Sequence, residues 1–168
     1  ELRQASREAI EKKGLTPYLA AKSRLGWERG GNNWNQVCHA GMVAGTLALL
    51  ESNPDRAAEV VRRALVGLPY AMKVYDPDGT YPEGPGYWNY GTSFNVLLIS
   101  MLESVFKTDF EMSRSPGFLK SGRFMLNIMS PTRRTFNFSD CGSGTSFSPA
   151  MTWFAARTDS PELLWFET

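Results

Sequence analysis

Apolar positions recur along most of this chain at spacings of three and four residues, the period of an amphipathic helix. Residues 1–13 show the pattern in a charged form, and Gly14 reads as their end. Residues 14–34 interrupt it and read as a long loop rich in Gly, Trp and Asn. The pattern resumes from about Asn35 to Glu51, where Val37, Gly41, Ala44, Gly45, Leu47, Ala48 and Leu49 keep one side small or apolar. Small residues on a helix face let a neighbouring helix approach closely. Ser52-Asn53-Pro54-Asp55 is a stop and restart: Asn53 suits a cap, Pro54 the first helical position, and Asp55 the positive N-terminus. The helix that follows runs to about Tyr75, with a kink or break expected at Pro69.

Asp76 to Gly86 is a cluster of turn residues. It opens a helix from about Tyr87 to Lys107 that is apolar almost all round, which predicts burial in a larger assembly. Thr108 to Pro116 reads as loop, Gly117 to Met129 as helix, Pro131 to Pro149 as a second long polar loop, and Ala150 to Arg157 as helix. Ser160-Pro161-Glu162 starts another helix. Strand signals are nearly absent, so the fold class is all-α, with helices in antiparallel pairs. Both ends fall inside helical patterns and read as cut, so residues 1–168 are expected to be one piece of a larger helical domain.

Chain direction places the candidate chemistry. If the helix beginning near Asn35 points up, the next points down and the one beginning at Tyr87 points up again. His39, the only histidine, lies near the start of the first, and Tyr87 near the start of the third. The loop before Asn35, the 76–86 cluster and the 131–149 loop return to the same rim. Long polar loops concentrated on one side mark a working face.

Composition narrows the classes. Of 168 residues, 42% are hydrophobic and 21% charged, with a net charge of +1, and Lys and Arg are scattered. Nothing predicts nucleic-acid binding. No apolar stretch approaches the ~20 residues that span a bilayer. One histidine and two cysteines, Cys38 and Cys141, offer no metal-ligand spacing, so no cofactor is evident. A Cys38–Cys141 bridge is one reading; two buried thiols is the plainer one.

Two runs carry a resemblance. Asn33-Trp34-Asn35-Gln36-Val37-Cys38-His39-Ala40-Gly41 and Asp78-Gly79-Thr80-Tyr81-Pro82-Glu83-Gly84-Pro85-Gly86-Tyr87-Trp88-Asn89-Tyr90-Gly91 together resemble the heparinase II/III-like polysaccharide lyases. Phe136-Asn137-Phe138-Ser139-Asp140 and Trp153-Phe154-Ala155-Ala156-Arg157 are compatible with the same family, and the similarity covers most of residues 30–165. The resemblance implies an incomplete (α/α) toroid of antiparallel helical hairpins. It further implies that the remaining N-terminal helices and a C-terminal β-sandwich domain are expected outside residues 1–168. It also implies β-elimination on uronic-acid-containing polysaccharides of the glycosaminoglycan or alginate type, and a periplasmic or secreted location.

Such chemistry neutralises the uronate carboxylate, removes the C5 proton and protonates the leaving glycosidic oxygen. By resemblance, His39 is the base or the substrate-orienting group, and Tyr87 the general acid, or acid and base. Asn32, Asn33 and Asn35 are candidates for gripping the carboxylate or sugar hydroxyls. Trp34, Trp88, Tyr90, Glu83 and Arg134 complete the candidate substrate-binding set. Related lyases often place Asn directly before the histidine; here Cys38 stands there, which leaves the carboxylate neutraliser open. Some members use a further histidine from the β-sandwich.

Each residue also has a plainer reading. His39 suits a hydrogen-bonded core position, Asn33 and Asn35 suit helix caps, and Trp34, Trp88, Tyr87 and Tyr90 suit packing. Glu83 suits the electrostatic capping of its helix, Arg133 and Arg134 a solvated loop, and Asp140 an orienting partner for His39. Two alternative functions follow: a glycoside hydrolase, which needs two facing carboxylates, and a non-catalytic carbohydrate-binding helical module. The expected partner is an acidic polysaccharide or oligosaccharide. A toroid cut in half exposes apolar helix faces, so self-association or a tight partner is also expected.

Overall fold

The computed structural model describes residues 1–21, 23, 25–144 and 148–167. Among them the chain is all-helical, and its only β-type pairing is an isolated bridge between Met129 and Thr135. Helix α1 (Leu2–Ala9) runs through a π-helical segment, Ile10–Leu15, into α2 (Thr16–Ala20). The expected stop at Gly14 is therefore corrected. Leu15 and Tyr18 are buried just beyond it, and their burial outweighs the roughly 1 kcal/mol that glycine costs a helix interior. The loop that follows is shorter than its reading from composition and includes a 3-10 turn, Gly26–Arg29.

The centre of the fold is α3 (Asn33–Leu47), which packs on both α4 (Pro54–Met72) and α5 (Gly84–Phe106). Asn53 Oδ1 accepts a hydrogen bond from the Arg56 amide at 3.3 Å, which caps α4 as the Asn-Pro-Asp signal predicted. Its buried face is Ala57, Val60, Val61, Ala64, Gly67, Leu68, Ala71 and Met72, at helical spacing. The helix continues through Pro69 and tightens into a 3-10 turn only at Lys73–Tyr75, so of the kink or break expected there the break does not occur. Buried contacts on both sides of Pro69, from Leu68 and Ala71, hold the chain helical where one backbone hydrogen bond is lost.

α5 ends at Lys107, in the left-handed conformation with φ 60°. Its inner face buries Trp88, Thr92, Asn95, Val96, Ile99 and Leu102. Its outer face is open in the described fold: Tyr90, Leu97 and Val105 are exposed, at 48, 47 and 41%. Helices α6 (Ser121–Asn127) and α7 (Pro149–Thr158) close the inner side of α5. There Phe154 meets Trp88 and Phe118 with ring centroids 6.1 and 5.3 Å apart. A 3-10 segment, Pro161–Glu167, follows α7. Cys38 and Cys141 are both free thiols.

Candidate functional site

The N-terminus of α3, the C-terminus of α4 and the N-terminus of α5 share one rim, as the chain directions predicted. Gly31, before α3, lies against the Tyr70 carbonyl of α4. Asn33 Nδ2 donates to Glu83 Oε2 at 3.0 Å and so joins the start of α3 to the start of α5. The 136–141 segment covers the N-terminus of α5. The Gly86 amide donates to Cys141 Sγ at 3.1 Å, and the Phe138 carbonyl crowds the Cα of Gly84. Gly84 has φ 82°, and this crowding leaves no room there for a side chain.

A polar network runs inward from the rim between α3 and α5. Tyr81, in the turn cluster, points its hydroxyl at Gln36 Oε1 (2.9 Å) and Glu83 Oε2 (3.3 Å). Gln36 Nε2 donates to the Tyr75 hydroxyl at 2.8 Å, which also meets Thr92 Oγ1 at 2.8 Å and accepts from Asn95 Nδ2 at 3.3 Å. Burial raises the pKa of both phenols. For Tyr81 the neighbouring Tyr75 and Glu83 push the same way, whereas for Tyr75 the bonds from Thr92, Gln36 and Asn95 pull it partly back. Both phenols are therefore protonated hydrogen-bond donors at neutral pH. Gly91 provides the space: a methyl group at that position would overlap Gln36 Oε1 and crowd the Tyr81 hydroxyl.

His39 lies on the opposite flank of α3. Its ring is completely buried, and Nε2 is 3.2 Å from the backbone carbonyl of Glu28. A carbonyl only accepts, so Nε2 carries the proton in this contact. Trp27 packs edge-on at 4.9 Å, and Gly67 of α4 closes over the imidazole. Asn35 Nδ2 donates to the same Glu28 carbonyl at 3.1 Å and to the Gly67 carbonyl at 3.0 Å. Asn35 and His39 thus fasten the 26–29 turn and α4 to α3.

Tyr87 is half-buried in the first turn of α5, one turn before Gly91, on the side of α5 that meets α3. Because His39 has no solvent-facing surface, the two do not meet in an open cleft in this conformation. Asn32 is exposed at the cap of α3, Asn33 is 5% exposed and held by Glu83, and Trp34 is 66% exposed. Tyr90 is exposed and packs edge-on against Phe94 at 5.4 Å. Trp88 sits in the core with its indole N–H on Ser121 Oγ at 2.6 Å, so it presents no ring face to a ligand here. Arg134 is exposed in the turn that joins Ser130 to Arg134. Asp140 is exposed on the segment over α5, whereas the group facing His39 Nε2 is the Glu28 carbonyl.

Sequence reasoning singled out neither Gln36, Tyr75, Tyr81, Thr92 nor Asn95. A signal did exist: Asn33 and Gln36 are three apart and share a helix face. Among the described residues, no group of three or more His, Cys, Asp or Glu side chains is placed to hold a metal ion, and no helix is long and apolar enough to cross a membrane. No family model matches the chain, and no curated protein matches it.

Proposed function

We propose that this chain is a polysaccharide lyase-like domain that cleaves uronic-acid-containing polysaccharides by β-elimination, on an incomplete (α/α) toroid. One observation carries the reading: the two runs that resemble the heparinase II/III-like lyases are bonded together at a loop-rich rim through Asn33–Glu83 and Tyr81–Gln36. Asn32, exposed at the cap of α3, is the amide best available to a uronate carboxylate. Tyr87 protonates the leaving oxygen. The C5 proton goes to His39 or to the Tyr87 phenolate, and the burial of His39 favours Tyr87. The C5–H and C4–O bonds break, a C4=C5 double bond forms, and the leaving oxygen takes a proton.

The test is incubation with uronate polymers while absorbance near 232 nm is followed. Elimination produces new absorbance, and Tyr87→Phe lowers the rate about 10²-fold or more with an unchanged unfolding midpoint. New reducing ends without absorbance indicate hydrolysis instead. A second reading, a non-catalytic carbohydrate-binding module, is favoured by the complete burial of the only histidine against a backbone carbonyl. It predicts binding with neither product.

The toroid reading also accounts for the exposed Tyr90, Leu97 and Val105 on α5, a face that further helices or a second copy would cover. The partner is an acidic polysaccharide, and the location is periplasmic or secreted, as in the family resembled.

A further inference from the structure

Most arginines of the described fold are engaged with carboxylates. Arg56 pairs with Glu11, Arg62 and Arg63 with Glu59, Arg114 with Glu111, Arg123 with Glu162, and Arg157 with Glu103. Two cations at the rim differ. Arg29, which ends the 3-10 turn before α3, and Lys73, which follows α4, have no carboxylate partner among the described residues. Both converge on one ring instead: Arg29 Cζ and Lys73 Nζ are each 5.5 Å from the centroid of Tyr70. The π system of that ring attracts each charged head and gives both a common anchor.

The position connects this cluster to the candidate site. The Tyr70 carbonyl lies against Gly31, the residue before Asn32. Arg29, Tyr70, Lys73, Asn32 and Trp34 are all exposed. A ligand crossing the α3 end of the rim therefore meets an amide, an indole face and two uncompensated positive charges. Lys73 at the end of α4 also complements the helix dipole. That role explains one cation but not the second on the same ring.

We propose that Arg29 and Lys73, held by Tyr70, form an anion-binding subsite that takes a carboxylate or sulfate group of an acidic oligosaccharide. The subsite deepens the lyase reading and rests on it for the nature of the ligand. Arg29 offers a planar fork that matches two oxygens of a carboxylate or sulfate, and Lys73 adds a point charge. Trp34, a few residues further along the rim, offers an apolar face to a neighbouring sugar ring. The subsite thus favours a polymer with repeated anionic groups over a neutral glucan.

The experiment is calorimetric titration of the chain with three probes. They are a hyaluronan hexasaccharide, which carries carboxylates only, a heparin-derived hexasaccharide, which also carries sulfates, and neutral maltohexaose. The wild type is compared with Arg29→Gln, Lys73→Gln and Lys13→Gln. The last removes one positive charge on the π-helical segment, away from the rim. The expected result is binding of at least one acidic probe, weakened about tenfold by each rim substitution, unaltered by Lys13→Gln, and absent for maltohexaose. Unfolding midpoints stay the same, since both side chains are exposed. Whether hyaluronan or only the heparin fragment binds identifies carboxylate or sulfate as the group held. The proposal is overturned by absence of binding, by equal binding of maltohexaose, by affinities within twofold of wild type in both rim variants, or by an equal loss in Lys13→Gln. Binding that depends on Arg29, with no new 232 nm absorbance, would sink the lyase reading and leave the subsite standing. Elimination with binding indifferent to Arg29 and Lys73 would do the reverse.

Discussion

The imidazole of His39 is held in a slot: the Glu28 carbonyl in front, the Trp27 edge beside it and Gly67 above. Emptying that slot leaves a cavity and removes a buried hydrogen bond. His39→Ala should lower unfolding free energy by about 2–3 kcal/mol, read from urea melts, whatever happens to activity. Filling it from the other side should be comparably harmful. A methyl group at Gly67 overlaps both the imidazole and the Glu28 backbone, so Gly67→Ala should cost about 1–3 kcal/mol. A variant as stable as wild type in either case would contradict this packing. The identity of His39 and its place near the start of α3 were legible in the sequence, but the direction of its ring was not. Helical period assigns a face, and which neighbour covers that face depends on a glycine in another helix. Glu59 gives a different kind of signal. Hydrogen bonds from Arg62 and then Arg63 hold its carboxyl down to about 2. A depressed folded-state pKa contributes stability that is complete above the unfolded value of about 4.3 and lost as pH falls through about 2. Glu59→Gln should therefore flatten the stability profile between about pH 5 and 2 and leave its neutral limb nearly unchanged, a modest effect because the pair is partly solvated.

Helix boundaries followed the sequence where capping chemistry was explicit and departed from it where burial overrode propensity. Asn53-Pro54-Asp55 was legible because the cap acts locally, and Asn53→Ala should cost about 1 kcal/mol in the same melts. Gly14 read as a stop and Pro69 as a kink or break because propensity is a local quantity. The buried Leu15 and Tyr18 on one side, and Leu68 and Ala71 on the other, are tertiary facts. α5 poses a different question. Its apolar run predicts burial in a larger assembly, and Tyr90 and Leu97 are exposed in the described fold. If that face associates, sedimentation equilibrium should show mass rising with concentration, and Leu97→Lys should suppress the rise. A monomer at every concentration would remove this expectation.

At the scale of the molecule, the gathering of three loops on one rim was legible because it needs only the alternation of helix direction. The wiring beneath it was not. Tyr75 ends one helix pattern and Tyr81 lies in the turn cluster after it, and their meeting with Gln36 depends on how closely α5 approaches α3 at Gly91. The candidate catalytic pair was read as sharing one rim because both residues lie near helix starts, but α3 turns His39 toward α4 and Gln36 toward α5.

That division has a mechanical consequence. α3 is keyed on both flanks, His39 into the notch at Gly67 and Gln36 into the notch at Gly91. It cannot roll or slide without withdrawing a buried polar group from each. Any widening of the rim therefore falls to the segments that lie over the helix ends, above all 136–141, while α3, α4 and α5 move as one body. Amide exchange should divide along the same line: slow along the keyed middle of α3, and fast over the strap that crosses Gly84 and Gly86.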